Sequence, residues 1–268
     1  MACSTSGCGG QPSVYAGSQP NPLAVLVDGA MVYWLDGPNG AIMKCATGSC
    51  SAPATVLSGL WNPWNTFGAG DGQVFFAVMG GPLTSCSENG CNGYTTIAPI
   101  GSLGAVAVGG STVYWRDYSS GDVLACDATS CTSATTLASK QGVFGGIAAN
   151  ACGAYWTVSQ TGAVVMCPST GCPNGPITLA SGTLSGTRPI AVDASGAYWA
   201  SADGIVSCPL GGCAQPRLLA KGTGSTTDRA RRVERLLGDE GRGLEGFEVS
   251  ALGCPMRLWS GVACAYAI

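Results

Sequence analysis

The chain has 268 residues, 46% hydrophobic and only 10% charged, with a formal net charge of −3. That length allows a sizeable core, the absence of a basic face argues against nucleic acid as a partner, and no apolar run reaches the roughly 18 residues of a membrane-spanning helix. The sequence contains no histidine, which removes the commonest general base and the commonest metal ligand together.

The chain opens MACSTSGCGG, without the charged and apolar regions of a signal peptide. Cys3 and Cys8 have four residues between them, and five further pairs repeat that spacing: Cys45/Cys50, Cys86/Cys91, Cys126/Cys131, Cys167/Cys172 and Cys208/Cys213. The first members of successive pairs are 42, 41, 40, 41 and 41 residues apart, which marks a tandem array. Residues 1–18 align with the end of a unit, so the sequence is expected to begin inside a repeat, with SVYAG as an outer strand. A truncated start or an incomplete gene model fits this.

Residues 22–60 form the first full unit. They break into four apolar runs, LAVLV, MVYWL, AIMKC and ATVLS, separated by Gly, Asn, Asp, Ser and Pro. Runs of that length, rich in β-branched and aromatic residues and bounded by turn formers, predict strands. None has the length or the spacing of a helix. The same plan recurs over 61–100, 101–140, 141–182 and 183–222. Aromatic pairs mark it independently: Tyr33-Trp34, Phe75-Phe76, Tyr114-Trp115, Tyr155-Trp156 and Tyr198-Trp199, spaced 39 to 43 residues apart. Four strands in about 40 residues predict the blade of a β-propeller. Leu23–Val27, Ala105–Val108 and Ile190–Asp193 are expected innermost, with the aromatic pair on the second strand sending one ring toward each neighbouring blade. The expected fold is therefore all-β, with five full blades and a partial sixth within residues 1–224.

Each cysteine pair falls where the third strand ends. A disulfide there closes a small outer hairpin and contributes about 2 kcal/mol in the chain-entropy model. Zinc is the competing reading, but each blade supplies two ligands and blades diverge, so four do not converge. Repeated disulfides predict a secreted, periplasmic or cell-surface protein. Cys152, Cys254 and Cys264 stand outside the pattern; Cys152 reads as a small buried hydrophobe.

Residues 225–268 differ in kind, holding 12 of the 27 charged residues. DRARRVERLLG predicts a short helix, with Asp228 near its start and Gly238 as its stop. FEVSALG and MRLWSG weakly imitate an inner strand and an aromatic strand. The tail is expected either to complete a sixth blade or to be a frame-shifted segment.

Units such as PIAVDASGAYWASADGIVSCPLGGC (189–213) and AVAVGGSTVYWRDYSSGDVLACDATSC (105–131) resemble the cysteine-paired tandem-repeat propellers of predicted myxobacterial proteins. Those in turn are similar to six-bladed TolB-like and YWTD-type propellers. The resemblance covers residues 1–222 and implies a six-bladed, secreted bacterial propeller without a defining catalytic motif. The YWTD aspartate is matched by Asp36 and Asp117 but replaced by Val158 and Ser201 elsewhere, so receptor-type recognition does not carry over.

Candidate site residues are few. Asp28 and Asp193 follow inner strands at equivalent positions and could ring a channel mouth, yet other blades place Gly109 and Asn150 there. A calcium or hydrolase site needs several converging oxygens, and turn-capping by these carboxylates is the plainer reading. Trp61 and Trp64 could stack a sugar or peptide, or fill an inter-blade gap. Arg116 and Arg188 could contact an anionic ligand, or lie solvated on the surface. No nucleophile elbow or histidine triad occurs. The sequence thus predicts a non-enzymatic, extracytoplasmic module that binds a protein, peptide or glycan without a cofactor. The alternatives are a carboxylate- or calcium-dependent hydrolase or lyase, and a truncated product without its own activity.

Overall fold

The computed structural model describes residues 14–17, 22–37, 39–48, 50–60, 63–78, 81–98, 103–142, 145–182, 189–201 and 203–221. Cys3, Cys8, Trp61, Arg188, Cys254, Cys264 and the charged tail lie outside them. Among the described residues, twenty strands form five four-stranded sheets. Blade one comprises β1 (Pro22–Asp28), β2 (Met31–Asp36), β3 (Ala41–Ala46) and β4 (Ala54–Leu57). Blade two holds β5 (Pro63–Gly70), β6 (Gln73–Val78), β7 (Leu83–Ser87) and β8 (Thr95–Ala98). Blade three holds β9 (Leu103–Gly109), β10 (Thr112–Asp117), β11 (Val123–Asp127) and β12 (Thr135–Ala138). Blade four holds β13 (Ile147–Asn150), β14 (Gly153–Val158), β15 (Ala163–Pro168) and β16 (Ile177–Ala180). Blade five holds β17 (Ile190–Val192), β18 (Ala197–Ala200), β19 (Gly204–Cys208) and β20 (Arg217–Lys221).

Every sheet is an antiparallel meander in sequence order, as short turns between alternating strands require. The turn after β5 shows the local chemistry: Asp71 and Gly72 have φ of 53° and 73°, the positive pair that matches a tight hairpin to strand twist. The first strands pack side by side in the order β1, β5, β9, β13, β17 and so line the axis of a β-propeller. The described residues supply five blades, not the six that the resemblance implies.

The core lies in the seams between blades, and the aromatic pair divides there as the pleat dictates. Tyr33 packs forward with Phe67 and Phe76 of blade two. Trp115 packs backward with Phe75 and Leu83, while Tyr114 packs forward with Trp156. Tyr155 packs forward with Trp199. Each seam therefore buries at least one large ring from either side, the costliest apolar surface to leave wet.

Among the described residues, five of the expected cysteine pairs form disulfides: Cys45–Cys50, Cys86–Cys91, Cys126–Cys131, Cys167–Cys172 and Cys208–Cys213. They do more than close their own hairpins. Cys86 and Cys91 pack into the cluster of blade one, Cys126 and Cys131 into that of blade two, and the pattern continues through blades three and four. The receiving element is a β-bulge at one fixed place in the fourth strand. In blade one Ile42 pairs with Leu57 and Met43 with Thr55, so Val56 is the extra residue. A bulge turns that residue out of the ladder, and its carbonyl accepts the Cys91 amide at 3.0 Å. The Leu179 bulge accepts the Cys213 amide at 2.9 Å, and Cys172 Sγ sits 3.4 Å from the Leu137 carbonyl. From blade two onward, each clip thus fastens its blade to the one before.

Cys152 departs from expectation. It is buried, but it is disulfide-bonded rather than an isolated apolar thiol.

Candidate functional site

In a meander, the turns between first and second strands and the clip loops between third and fourth strands share one face. Asp28 and Asp193 both lie on that face, but they do not converge. Asp28, at the end of β1, feels Asp71 of the next turn and Glu88 of the blade-two clip loop. Burial first, then the charges of Glu88 and Asp71, raise its pKa above the usual carboxylate range. Tyr33 donates its hydroxyl to Glu88 across the same seam, and burial together with that bond holds the phenol protonated well above its ordinary value. Glu88 was not singled out from the sequence. Its signal was its place inside the clip loop, two residues after Cys86, where it reaches the preceding blade.

Asp193 is occupied differently. One carboxylate oxygen accepts the amides of Ser195 and Gly196 at 2.7 and 2.8 Å and the Ser195 hydroxyl at 2.7 Å. The other accepts the Tyr198 hydroxyl at 2.9 Å. This is a turn cap in which the local amides saturate the charge. Asn150 reaches across the seam, its amide nitrogen donating to the Asp193 carbonyl at 3.3 Å. Between them, Gly109 explains why a ring of acids fails to form. A Cβ there would stand 2.4 Å from the Asn150 carbonyl oxygen, so close approach of two turns excludes any side chain.

Three further carboxylates follow the capping pattern. Asp117 accepts the Ser119 amide and hydroxyl, and Asp122 accepts the Lys140 amide. Asp127 accepts both hydroxyl and amide from Thr129 and from Ser130, which holds its pKa down at about 2. Asp36 is buried at the opposite face, with one oxygen bonded to Asn39 at 2.7 Å and the other without a partner. Among the described residues no three His, Cys, Asp or Glu side chains gather closely enough to hold a metal ion. No helix among them is long and apolar enough to cross a membrane.

Arg116 is the largest departure from the sequence reading. Instead of a surface contact it is 0% exposed, sealed in the seam between blades three and four. Its Nη2 donates to the Thr157 carbonyl at 3.1 Å, while Nε and Nη1 find no partner. Desolvation alone lowers its pKa to about 10. The equivalent second-strand positions are Leu35, Ala77, Thr157 and Ala200, so a cation occupies a place the other blades fill with small or apolar groups. Trp64 lies on β5, and Trp61 and Arg188 fall outside the described residues.

No family model matches the sequence, and no curated protein matches it. Solved structures do. A chain of the nidogen/laminin complex aligns with a TM-score of 0.58 at 14% identity, covering 70% of this chain and 75% of its own. A catalytically inactive histidine-to-alanine variant of virginiamycin B lyase from Staphylococcus aureus, solved with quinupristin, aligns at 0.55 and 12% identity, covering 74% and 71%. PorZ, a bacterial surface component of the type-IX secretion system of Porphyromonas gingivalis, aligns at 0.54 and 15% identity, covering 73% of this chain and 26% of its own. At such identities the likeness is one of fold.

Proposed function

We propose that the protein is a non-enzymatic propeller that works outside the cytoplasm and presents its turn-and-clip face to a protein partner. The observation that carries this reading is the fate of its carboxylates. On that face Asp127 and Asp193 each engage their oxygens with amides and hydroxyls of their own turn. Groups so engaged make a rigid polar frame and leave no acid–base pair poised for chemistry. A frame of this kind suits recognition, and one protein of similar fold comes from a binding complex. Five disulfides support an oxidising compartment.

The competing reading is a carboxylate- or calcium-dependent lyase, favoured by the likeness to virginiamycin B lyase and by the grouping of Asp28, Asp71 and Glu88. The lyase variant is inactive for want of a histidine, and this chain has none. The test is incubation of the oxidised protein with quinupristin, with and without Mg²⁺ and Ca²⁺, followed by mass spectrometry and thermal melting. Unchanged quinupristin and an unmoved melting curve are expected; turnover, or a calcium shift of several degrees, would sink the non-enzymatic reading. Binding itself is read by fold-dependent capture from the native extracellular fraction, with reduced and unfolded protein as the control that must lose it.

A further inference from the structure

Among the described residues, Arg116 is the one cation sealed from solvent, and the proposed function makes no use of it. Its cross-strand neighbours are Ala105 on β9 and Val123 on β11, and its guanidinium reaches over the seam to blade four. Gly145 makes room for it there. At φ 152° that residue favours glycine, and a Cβ on it would stand 2.4 Å from Nη1 and 2.4 Å from the Thr157 carbonyl oxygen. The seam is thus shaped to admit a cation.

It supplies no counter-charge. Acceptors on the flanking elements are engaged elsewhere: Asp117 with Ser119, Asp122 with the Lys140 amide, and Thr157 Oγ1 with the Gly146 amide at 3.0 Å. Gln141 Oε1 accepts the indole of Trp156 at 3.3 Å. Burial is the sole cause of the lowered Arg116 pKa, so no carboxylate acts on it, and a value of about 10 leaves it charged at neutral pH. The Thr157 carbonyl and Gly145 together crowd the Nη1–Nη2 end of the planar fork. The edge that carries Nε meets no protein acceptor. A guanidinium presents its donors in fixed directions, so an acceptor must come to that edge.

We infer that Arg116 holds a monatomic anion, a halide of the chloride class, along its Nε edge in the seam between blades three and four. Size follows from burial: at 0% exposure the guanidinium offers no opening to a carboxylate, sulfate or phosphate ligand, whereas a single ion enters as the seam breathes. Charge follows from the low dielectric of the seam. A water molecule would satisfy the donors and leave the cation uncompensated, the costly arrangement inside a protein. The site belongs to this seam alone among the described blades, because Leu35, Ala77, Thr157 and Ala200 stand at the equivalent positions.

The test is thermal melting of the oxidised full chain in sodium gluconate, whose anion is too large for the seam, with chloride or bromide replacing it at constant ionic strength. Once the site fills, each tenfold rise in halide should raise the melting temperature by about 2 to 5 °C. Arg116→Met should melt above the wild type in gluconate, and the gap should close as halide rises. A flat wild-type response, or an equal rise in the variant, would overturn the inference. Should Arg116→Met fail to fold, crystals of the wild type grown in bromide decide: an anomalous peak beside Arg116 Nε is expected, and its absence would overturn the site.

Discussion

If clips fasten seams as well as hairpins, removing one should cost more than its loop entropy alone. Cys167–Cys172 spans a sequence separation of 5 residues, so chain entropy contributes about 2 kcal/mol. Cys167, fully buried, also packs with Tyr114, Val123 and Ala138 of blade three. Replacing both cysteines by alanine removes sulfur from that packing, a further loss of about 1 to 2 kcal/mol. Cys167→Ala/Cys172→Ala should therefore cost about 3 to 4 kcal/mol in total. Urea unfolding followed by tryptophan fluorescence measures the loss, provided variant and wild type share one m-value. A loss of about 2 kcal/mol or less would refute the seam contribution.

Three further outcomes follow from charges. Arg116→Met removes a buried guanidinium with two unpartnered donors, so stability should rise by about 1 kcal/mol or more. The Arg116 pKa falls from 12.5 to about 10, so the penalty on its charged form is complete below about 10 and fades as pH climbs toward 12.5; the gain in thermal melting should fade with it. Asp28→Asn should stabilise at neutral pH, because the raised pKa means the folded state disfavours the charged carboxylate. That difference should close as pH drops below the ordinary carboxylate value of 3.8, where both forms are neutral. Asp127→Ala works in the opposite sense. Its lowered pKa stabilises the fold above 3.8, and the deficit of the variant in melting temperature should vanish as pH falls through about 2.

The sequence announced the blade because its repeat is written in covalent order. Cysteine spacing and the Tyr-Trp pairs fall at fixed intervals, and a strand period of two sends Tyr114 forward and Trp115 backward without further information. What stayed hidden depends on contacts between different repeats. Arg116 looks like any surface arginine until β14 lays the Thr157 carbonyl across it. The bulge at Val56 leaves no mark in composition, since Ala-Thr-Val-Leu alternates as well as any regular strand would. Likewise Asp28 and Asp193 occupy equivalent repeat positions, yet one meets acids from blade two while the other is saturated by its own turn. Repeat equivalence sets the backbone. The neighbouring side chains, which differ from blade to blade, set the electrostatics.

The bulge also gives assembly a direction. In two seams the fourth strand offers its bulge carbonyl to the amide of a clip loop that lies later in the chain: Val56 to Cys91 and Leu179 to Cys213. A blade emerging during synthesis is therefore incomplete until the next one has been made and oxidised, with its forward-facing tyrosine wet in the meantime. On that geometry each new disulfide would lock what came before it. Reducing one interior clip should accordingly loosen two blades rather than one.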